Sequence, residues 1–122
     1  MKRELGLIRE IMLCLEADDR NLSPSNERLK DWTKDEIGHH VWLALSAGLL
    51  DGTEITGFGD NQKMALAFGL TWDGHDFLAA ARDDSVWAKV TQMTIVQTGA
   101  VTLAVLKELL VRTTRERLRL GE

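Results

Sequence analysis

The sequence predicts an α+β fold that is mainly helical, and two patterns indicate it. Apolar residues recur every three to four positions over 4–17, 34–47, 85–98 and 100–118, which is the spacing of amphipathic helices. Over 49–70 they are instead interrupted by glycines and alternate with small residues, which is typical of an antiparallel hairpin. The chain has 122 residues, of which 44% are hydrophobic and 28% are charged. That size and composition predict a single compact domain with its own core.

The first predicted helix covers 4–17 and ends in a polar turn. Its apolar positions are Leu5, Ile8, Ile11, Met12 and Leu15. Pro24, the one proline of the chain, lies in the turn that follows. Residues 27–32 place a single leucine among polar neighbours, so we expect them to form either a short strand or an extended linker.

The helix at 34–47 has the clearest predicted boundaries. Thr33 and Glu36 have the spacing of a capping box, in which each side chain bonds the backbone N–H of the other residue. Gly48 follows the helix, and glycine readily adopts the left-handed conformation that ends one. We therefore expect a helix that begins after Thr33 and stops at Gly48.

The hairpin that follows should have its strands within 49–56 and 64–70. Thr71 is an N-cap candidate for a short helix that ends near Arg82. Asp83-Asp84-Ser85 can cap the helix after it.

Three large apolar side chains lie in the short helix that Thr71 begins. Thr71 and Asp73 suit the N-terminus of this helix. We expect its large apolar side chains to pack against the hairpin; they are Trp72, Phe77 and Leu78.

The order of these elements is that of a winged helix-turn-helix-like domain. In that fold a capped helix ends at glycine and leads into a β-hairpin wing, as Ala47-Gly48-Leu49-Leu50 would here. The predicted winged-helix domain covers 1–82. The predicted C-terminal helical extension covers 83–122, packs on that domain and is a candidate for dimer contacts.

Several motifs of the chain also resemble a known family. They are Met1-Lys2-Arg3, Leu7-Ile8-Arg9, Glu36-Ile37 with His40, Ala47-Gly48-Leu49, the run from Leu70 to Leu78, Arg82-Asp83-Asp84 and Val86-Trp87-Ala88-Lys89. Together they resemble the uncharacterised bacterial and phage family catalogued as domain of unknown function twenty-five thirteen. His39 stands where that family has a tyrosine, and this chain contains no tyrosine. The resemblance implies a winged-helix-like fold and a bacterial or prophage origin, and it implies no activity.

A DNA-binding regulator is one of two functions that this fold predicts. The capped helix would enter the major groove and the wing would lie along the backbone. The candidate nucleic-acid-binding residues are Lys34, Gly38, His39, Trp42 and Lys63. The net charge of -4 disfavours this function, because DNA binding draws mainly on basic side chains.

Trp42 has two interpretations. An outward tryptophan is typical of a binding hot spot. Alternatively, Trp42 folds under the loop at 22–32 and belongs to the core.

An interaction module that binds a protein or dimerises is the favoured function. The last helix carries two apolar rows about 100° apart, and one of them contains Val101, Val105 and Leu109. That row is the predicted dimer interface, because a two-fold contact lets a patch cover itself. The helix at 85–98 could instead cover it within one subunit.

The sequence predicts a protein without catalytic residues, metal or cofactor. His39 and His40 are adjacent on a helix and point about 100° apart, so they do not share a ligand face. Cys14, the one cysteine, lies among apolar neighbours and is expected to be a packed thiol. A single cysteine and the lack of a long apolar run predict a cytoplasmic protein that does not enter the membrane.

Overall fold

The computed structural model describes residues 4–55, 63–98 and 103–119. Its elements, in chain order, are α1 (Leu5–Glu16), a 3-10 helix (Glu27–Leu29), α2 (Lys34–Ser46), β1 (Leu50–Ile55), β2 (Met64–Leu70), α3 (Trp72–Ala81), α4 (Asp84–Thr98) and α5 (Leu103–Arg119). The protein is therefore α+β and mainly helical, with a two-stranded antiparallel hairpin among the described residues. This confirms the predicted fold class at that level.

The chain divides after Gly74 into two compact units. The first holds α1, α2 and the hairpin, and the second holds α4, α5 and most of α3. The division into domains at 1–82 and 83–122 stays a prediction.

The first helix supplies much of the core of the first unit. Ile8, Ile11 and Met12 are fully buried and Leu15 is buried, as the helical spacing predicted. Leu5 is only partly buried, and Leu7, which was not predicted, is fully buried instead. The helix ends at Glu16. Asp18, two residues later, has a left-handed φ of 59°, which lets the Asp19 N–H reach back to the carbonyl of Cys14. Cys14 is buried, which confirms a packed thiol.

The segment 27–32 is neither a strand nor an extended linker, so both expectations were wrong. The side chain of Asn26 accepts a hydrogen bond from the Arg28 N–H and thereby starts a short 3-10 helix. The Asn26 amide group also donates to Asp19 Oδ2 and to the carbonyl oxygen of Asn21. Leu29 is fully buried and anchors this turn in the core.

The capped helix α2 has the predicted boundaries. Thr33 Oγ1 accepts from the Glu36 N–H at 3.1 Å, and Glu36 Oε1 accepts from the Thr33 N–H at 2.9 Å. At the other end Gly48 has a φ of 78°. The Leu49 N–H bonds the carbonyl of Ala44 there, which is the bond expected of a glycine-terminated helix.

The hairpin pairs β1 with β2 in antiparallel register, and its strands fall within the predicted ranges. The register shifts between Asp51, which faces Gly69, and Gly52, which faces Ala67. Phe68 is thus the extra residue of a β-bulge. Both strands pack against α2, and this places the start of β2 beside the middle of that helix.

The caps of the last helices also match the sequence. Thr71 Oγ1 accepts from the Gly74 N–H, and Asp83 Oδ1 accepts from the N–H groups of Ser85 and Val86. In the second unit α4 packs against α5, and the rings of Phe77 and Trp87 meet edge to face at 6.3 Å.

Candidate functional site

Three of the predicted nucleic-acid-binding residues meet where α2 approaches the start of β2. His39 Nδ1 donates to the carbonyl oxygen of Lys63 at 3.0 Å, since a carbonyl can only accept. The His39 and Trp42 rings stack with centroids 5.8 Å apart and planes 25° apart. Lys63 Nζ lies 5.5 Å from the centroid of the Trp42 ring. We call His39, Trp42 and Lys63 the junction cluster.

Lys63, the cation of the junction cluster, also contacts an acidic side chain. Lys63 Nζ lies 3.5 Å from Glu54 Oε1, and both side chains are well exposed. A nearby carboxylate reduces the attraction of this lysine for a phosphate. The cluster is therefore a weaker anion site than its residue types predict.

The other two predicted nucleic-acid-binding residues lie outside the junction cluster. Lys34 is exposed in the first turn of α2, beside the exposed Asp35. Gly38 is partly buried, and a Cβ there would collide with the side chain of Met64. The missing Cβ of Gly38 thus leaves room for Met64 at the start of β2, which does not fit a contact between this position and DNA.

The core interpretation of Trp42 is also wrong. The residue is only partly buried, so it does not belong to the buried core, and its ring contacts His39 and Lys63. Trp42 therefore keeps part of its indole at the surface of the first unit.

A second surface, which the sequence did not predict, lies just beyond the junction cluster in the chain. Leu66 is 55% exposed, Phe68 is 60% exposed and Trp72 is 87% exposed. We call these three residues the 66–72 surface. The expectation that Trp72 packs against the hairpin is wrong, because its side chain is almost wholly in solvent.

The alternation of β2 could have revealed this surface. Large residues at Leu66 and Phe68 alternate with small ones at Ala65 and Ala67. Ala65 is buried at 5% exposure and Ala67 is partly buried, on a strand that packs against α2. Leu66 then points outward, because successive side chains of a strand face opposite sides, and Phe68 at the bulge is exposed as well.

The histidines do not form a metal centre. The rings of His39 and His40 lie edge to face, with planes 84° apart. In the described part of the chain, His, Cys, Asp and Glu side chains do not gather in any group of three that could hold a metal ion.

Comparison of the sequence with known proteins shows the family to which the chain belongs. Residues 2–101 match the family described as Hypothetical protein (DUF2513). The chain belongs to this family. It is also similar to an uncharacterized protein of Haemophilus influenzae, with 33% identity over 90 residues that cover 71% of this chain and 73% of the relative. No solved structure matches the chain.

The DUF2513 region contains both surfaces and ends before α5 begins. In α5, Leu106 and Leu110 are fully buried and Leu109 is partly buried. Of the predicted dimer residues, Val101 and the side chain of Val105 lie outside the described residues, so the dimer interface stays a prediction. Among the helices that the structure describes, each is too short or too polar to cross a membrane.

Proposed function

We propose that this DUF2513 protein is a non-catalytic interaction module that binds another protein through the 66–72 surface. The order of elements supports a winged-helix-like arrangement in which β1 and β2 form the wing. A bacterial relative supports a bacterial or prophage origin. A single, buried cysteine fits a reducing cytoplasm.

The exposure of three large apolar side chains within seven residues carries this proposal. Full burial of a leucine or phenylalanine side chain is worth roughly 1.5–3 kcal/mol, and the 66–72 surface forgoes much of it. Tryptophan is enriched among the residues that dominate binding energies. A partner that covers Trp72 and Phe68 would recover that free energy.

The charges beside the 66–72 surface indicate the chemistry of the partner. On β1, Asp51 is exposed, and Asp73 is exposed directly after Trp72. Lys63, at the start of the hairpin, is already paired with Glu54. The partner should therefore present an apolar centre bordered by lysine or arginine, since interfaces match charge across their rims. A second copy of this chain would bring acidic groups against acidic groups.

Photo-cross-linking in the native host tests the proposal. A benzophenone amino acid replaces Phe68, which is a conservative change at an exposed aromatic position, and ultraviolet light fixes whatever touches it. We expect one abundant protein adduct, and we expect its yield to fall when Leu66→Ser is introduced into the same chain. The adduct should carry a basic-rimmed apolar surface.

The matched control places the same amino acid at Lys30, which is exposed but lies among charged neighbours. A Phe68 adduct no more abundant than the Lys30 adduct would overturn the proposal. An adduct between two copies of this chain would show that the partner is a second copy, so that the surface forms a homodimer.

DNA binding is the second candidate, and the convergence of His39, Trp42 and Lys63 favours it. Basic and aromatic groups at the junction of a helix and a wing suit a nucleic-acid backbone. Fluorescence anisotropy with mixed duplex DNA at two salt concentrations tests it. We expect a dissociation constant weaker than the ~10⁻⁴–10⁻⁶ M of dedicated non-specific binders at physiological salt. Micromolar binding that is lost on Lys34→Glu would favour the regulator instead.

A further inference from the structure

His40 is a fully buried histidine whose two ring nitrogens are both hydrogen-bonded. Nδ1 lies 2.7 Å from the carbonyl oxygen of Glu36, one turn earlier in α2. Nε2 lies 2.8 Å from the backbone nitrogen of Glu4. A carbonyl can only accept and a backbone N–H can only donate, so Nδ1 carries the hydrogen and Nε2 offers its lone pair. The geometry therefore requires a neutral imidazole in one defined tautomer.

The bond to Glu4 joins residues that are 36 positions apart. Glu4 is the N-cap of α1, and its own side chain forms no capping hydrogen bond. Its carbonyl accepts from the N–H groups of Leu7 and Ile8 and so begins the helix. His40 thus fixes the residue from which the first turn of α1 is built.

We propose that His40 is a pH-sensitive pin between α2 and the first turn of α1. Protonation of Nε2 places a hydrogen where the lone pair accepts, so the ring and the Glu4 N–H become two donors that face each other. The bond is then lost, and the first turn of α1 separates from α2.

The charges around His40 set the pH range of this response. Burial is the largest influence and lowers the pKa of His40, and the charge of the neighbouring His39 lowers it further. The hydrogen bond to the Glu36 carbonyl and the carboxylates of Glu4 and Glu36 act in the opposite direction.

The hairpin, which also packs against α2, contributes a pair of opposite charges. Its Glu54 and Lys63 lie 3.5 Å apart and so offset each other. The pin therefore holds at neutral pH and opens only in acid, below the ordinary histidine pKa of ~6.5.

The response should be local because the rest of α1 has other anchors. Ile11 and Met12 in the second turn are fully buried, and Cys14 and Leu15 in the third turn are buried. Loss of the pin exposes the amide of Glu4 without releasing the second and third turns of the helix.

Amide hydrogen exchange, followed by nuclear magnetic resonance, tests the pin in the intact chain. Exchange rates are measured over a series of pH values from neutral to well below the ordinary histidine pKa of ~6.5, because burial lowers the pKa of His40, and they are corrected for the intrinsic pH dependence of exchange. The protection of the Glu4 amide should fall roughly tenfold in acid, the loss expected for one hydrogen bond. Ile11 and Met12 should keep their protection. Nitrogen shifts of the His40 ring should show hydrogen on Nδ1 at neutral pH.

Two kinds of variant give the matched controls. His40→Gln has an oxygen that can accept from Glu4 but cannot titrate, so the pH dependence at Glu4 should disappear. His39→Gln and His75→Gln remove other histidines and should retain it. The proposal is overturned if the wild-type Glu4 amide keeps its protection in acid, if Ile11 and Met12 lose theirs in parallel, or if Nε2 carries the hydrogen at neutral pH. These three results come from the wild-type chain and do not depend on any variant folding.

Discussion

Lys63 Nζ lies 5.5 Å from the centroid of the Trp42 indole, which links the start of the hairpin to the middle of α2. The His39 bond to the Lys63 carbonyl reinforces the same junction. These contacts join residues more than twenty positions apart and fix where β2 begins relative to the helix. The junction cluster therefore holds the start of β2 against the middle of α2.

The link between Lys63 and Trp42 should be measurable as a coupling free energy. A cation over an exposed aromatic ring contributes about 0.5–1 kcal/mol. We expect a double-mutant cycle of Lys63→Met and Trp42→Leu, measured by urea unfolding, to return a coupling in that range. The matched cycle of Lys30→Met and Glu27→Gln tests an exposed ion pair and should return less. Independent, additive effects of Lys63→Met and Trp42→Leu would contradict the contact.

Two glycines of the hairpin should respond in opposite ways to alanine. A Cβ at Gly52 would overlap the carbonyl oxygen of Leu66 on the paired strand, whereas a Cβ at Gly69 meets nothing within 4 Å. Gly52→Ala should therefore lower the free energy of unfolding by about 1–3 kcal/mol, because backbone must move. Gly69→Ala should be neutral or raise it by up to about 1 kcal/mol, because alanine restricts the unfolded chain. Equal midpoints for the two variants in thermal unfolding would contradict the register.

The buried His40 should make stability depend on pH in a defined direction. Its pKa is lowered in the folded protein, so the unfolded chain binds a proton first as the pH falls below ~6.5. Its contribution is complete above that pH and decreases below it, by up to about 1.4 kcal/mol per pH unit. His40→Leu should remove this slope.

The same variant should lower the free energy of unfolding at neutral pH by about 1–3 kcal/mol, because the Glu36 carbonyl and the Glu4 N–H lose their partner. Urea unfolding between pH 7.5 and pH 5 measures both effects, and His75→Leu is the exposed control. A slope in the His40→Leu protein equal to that of the wild type would assign the pH dependence to other groups.

If the protein forms a dimer through α5, acidic substitutions in that helix should dissociate it. Replacing both Val105 and Leu109 by glutamate should give a folded monomer, because like charges would meet across a two-fold axis. Multi-angle light scattering at tens of micromolar measures the mass, and Phe68→Ser is the comparison at the 66–72 surface. A wild-type monomer would remove the α5 dimer. A dimer that only Phe68→Ser dissociates would place the contact on the hairpin.

Local features of the fold could be predicted because each depends on residues close together in the chain. The capping box of Thr33 and Glu36 and the stop at Gly48 are complete within one helix and its ends. The hairpin followed from the change of apolar period after Gly48. The 3-10 helix could not be predicted, because Asn26 and Leu29 derive their roles from a buried site that α1 helps to form.

The candidate site was only partly predictable for the same reason. His39, Trp42 and Lys63 have the residue types of a nucleic-acid surface, and the sequence predicted them as candidates for one. Their mutual contacts depend on how β2 meets α2, so the sequence could not show that they engage one another. Trp72 was expected to pack against the hairpin with Phe77 and Leu78, whereas its position at the first turn of α3 leaves it in solvent.

Hydroxyl-radical footprinting in the native host tests the central claim, that the 66–72 surface binds a protein partner, most directly. In the purified chain Trp72 should be oxidised faster than the partly buried Trp32 and Trp42, in line with its 87% exposure. In the cell a bound partner should shield Trp72 and Phe68, so that the oxidation of Trp72 relative to Trp32 decreases while that of Trp42 does not. Trp72 and Phe68 oxidised to the same relative extent in the cell as in the purified chain would contradict the account.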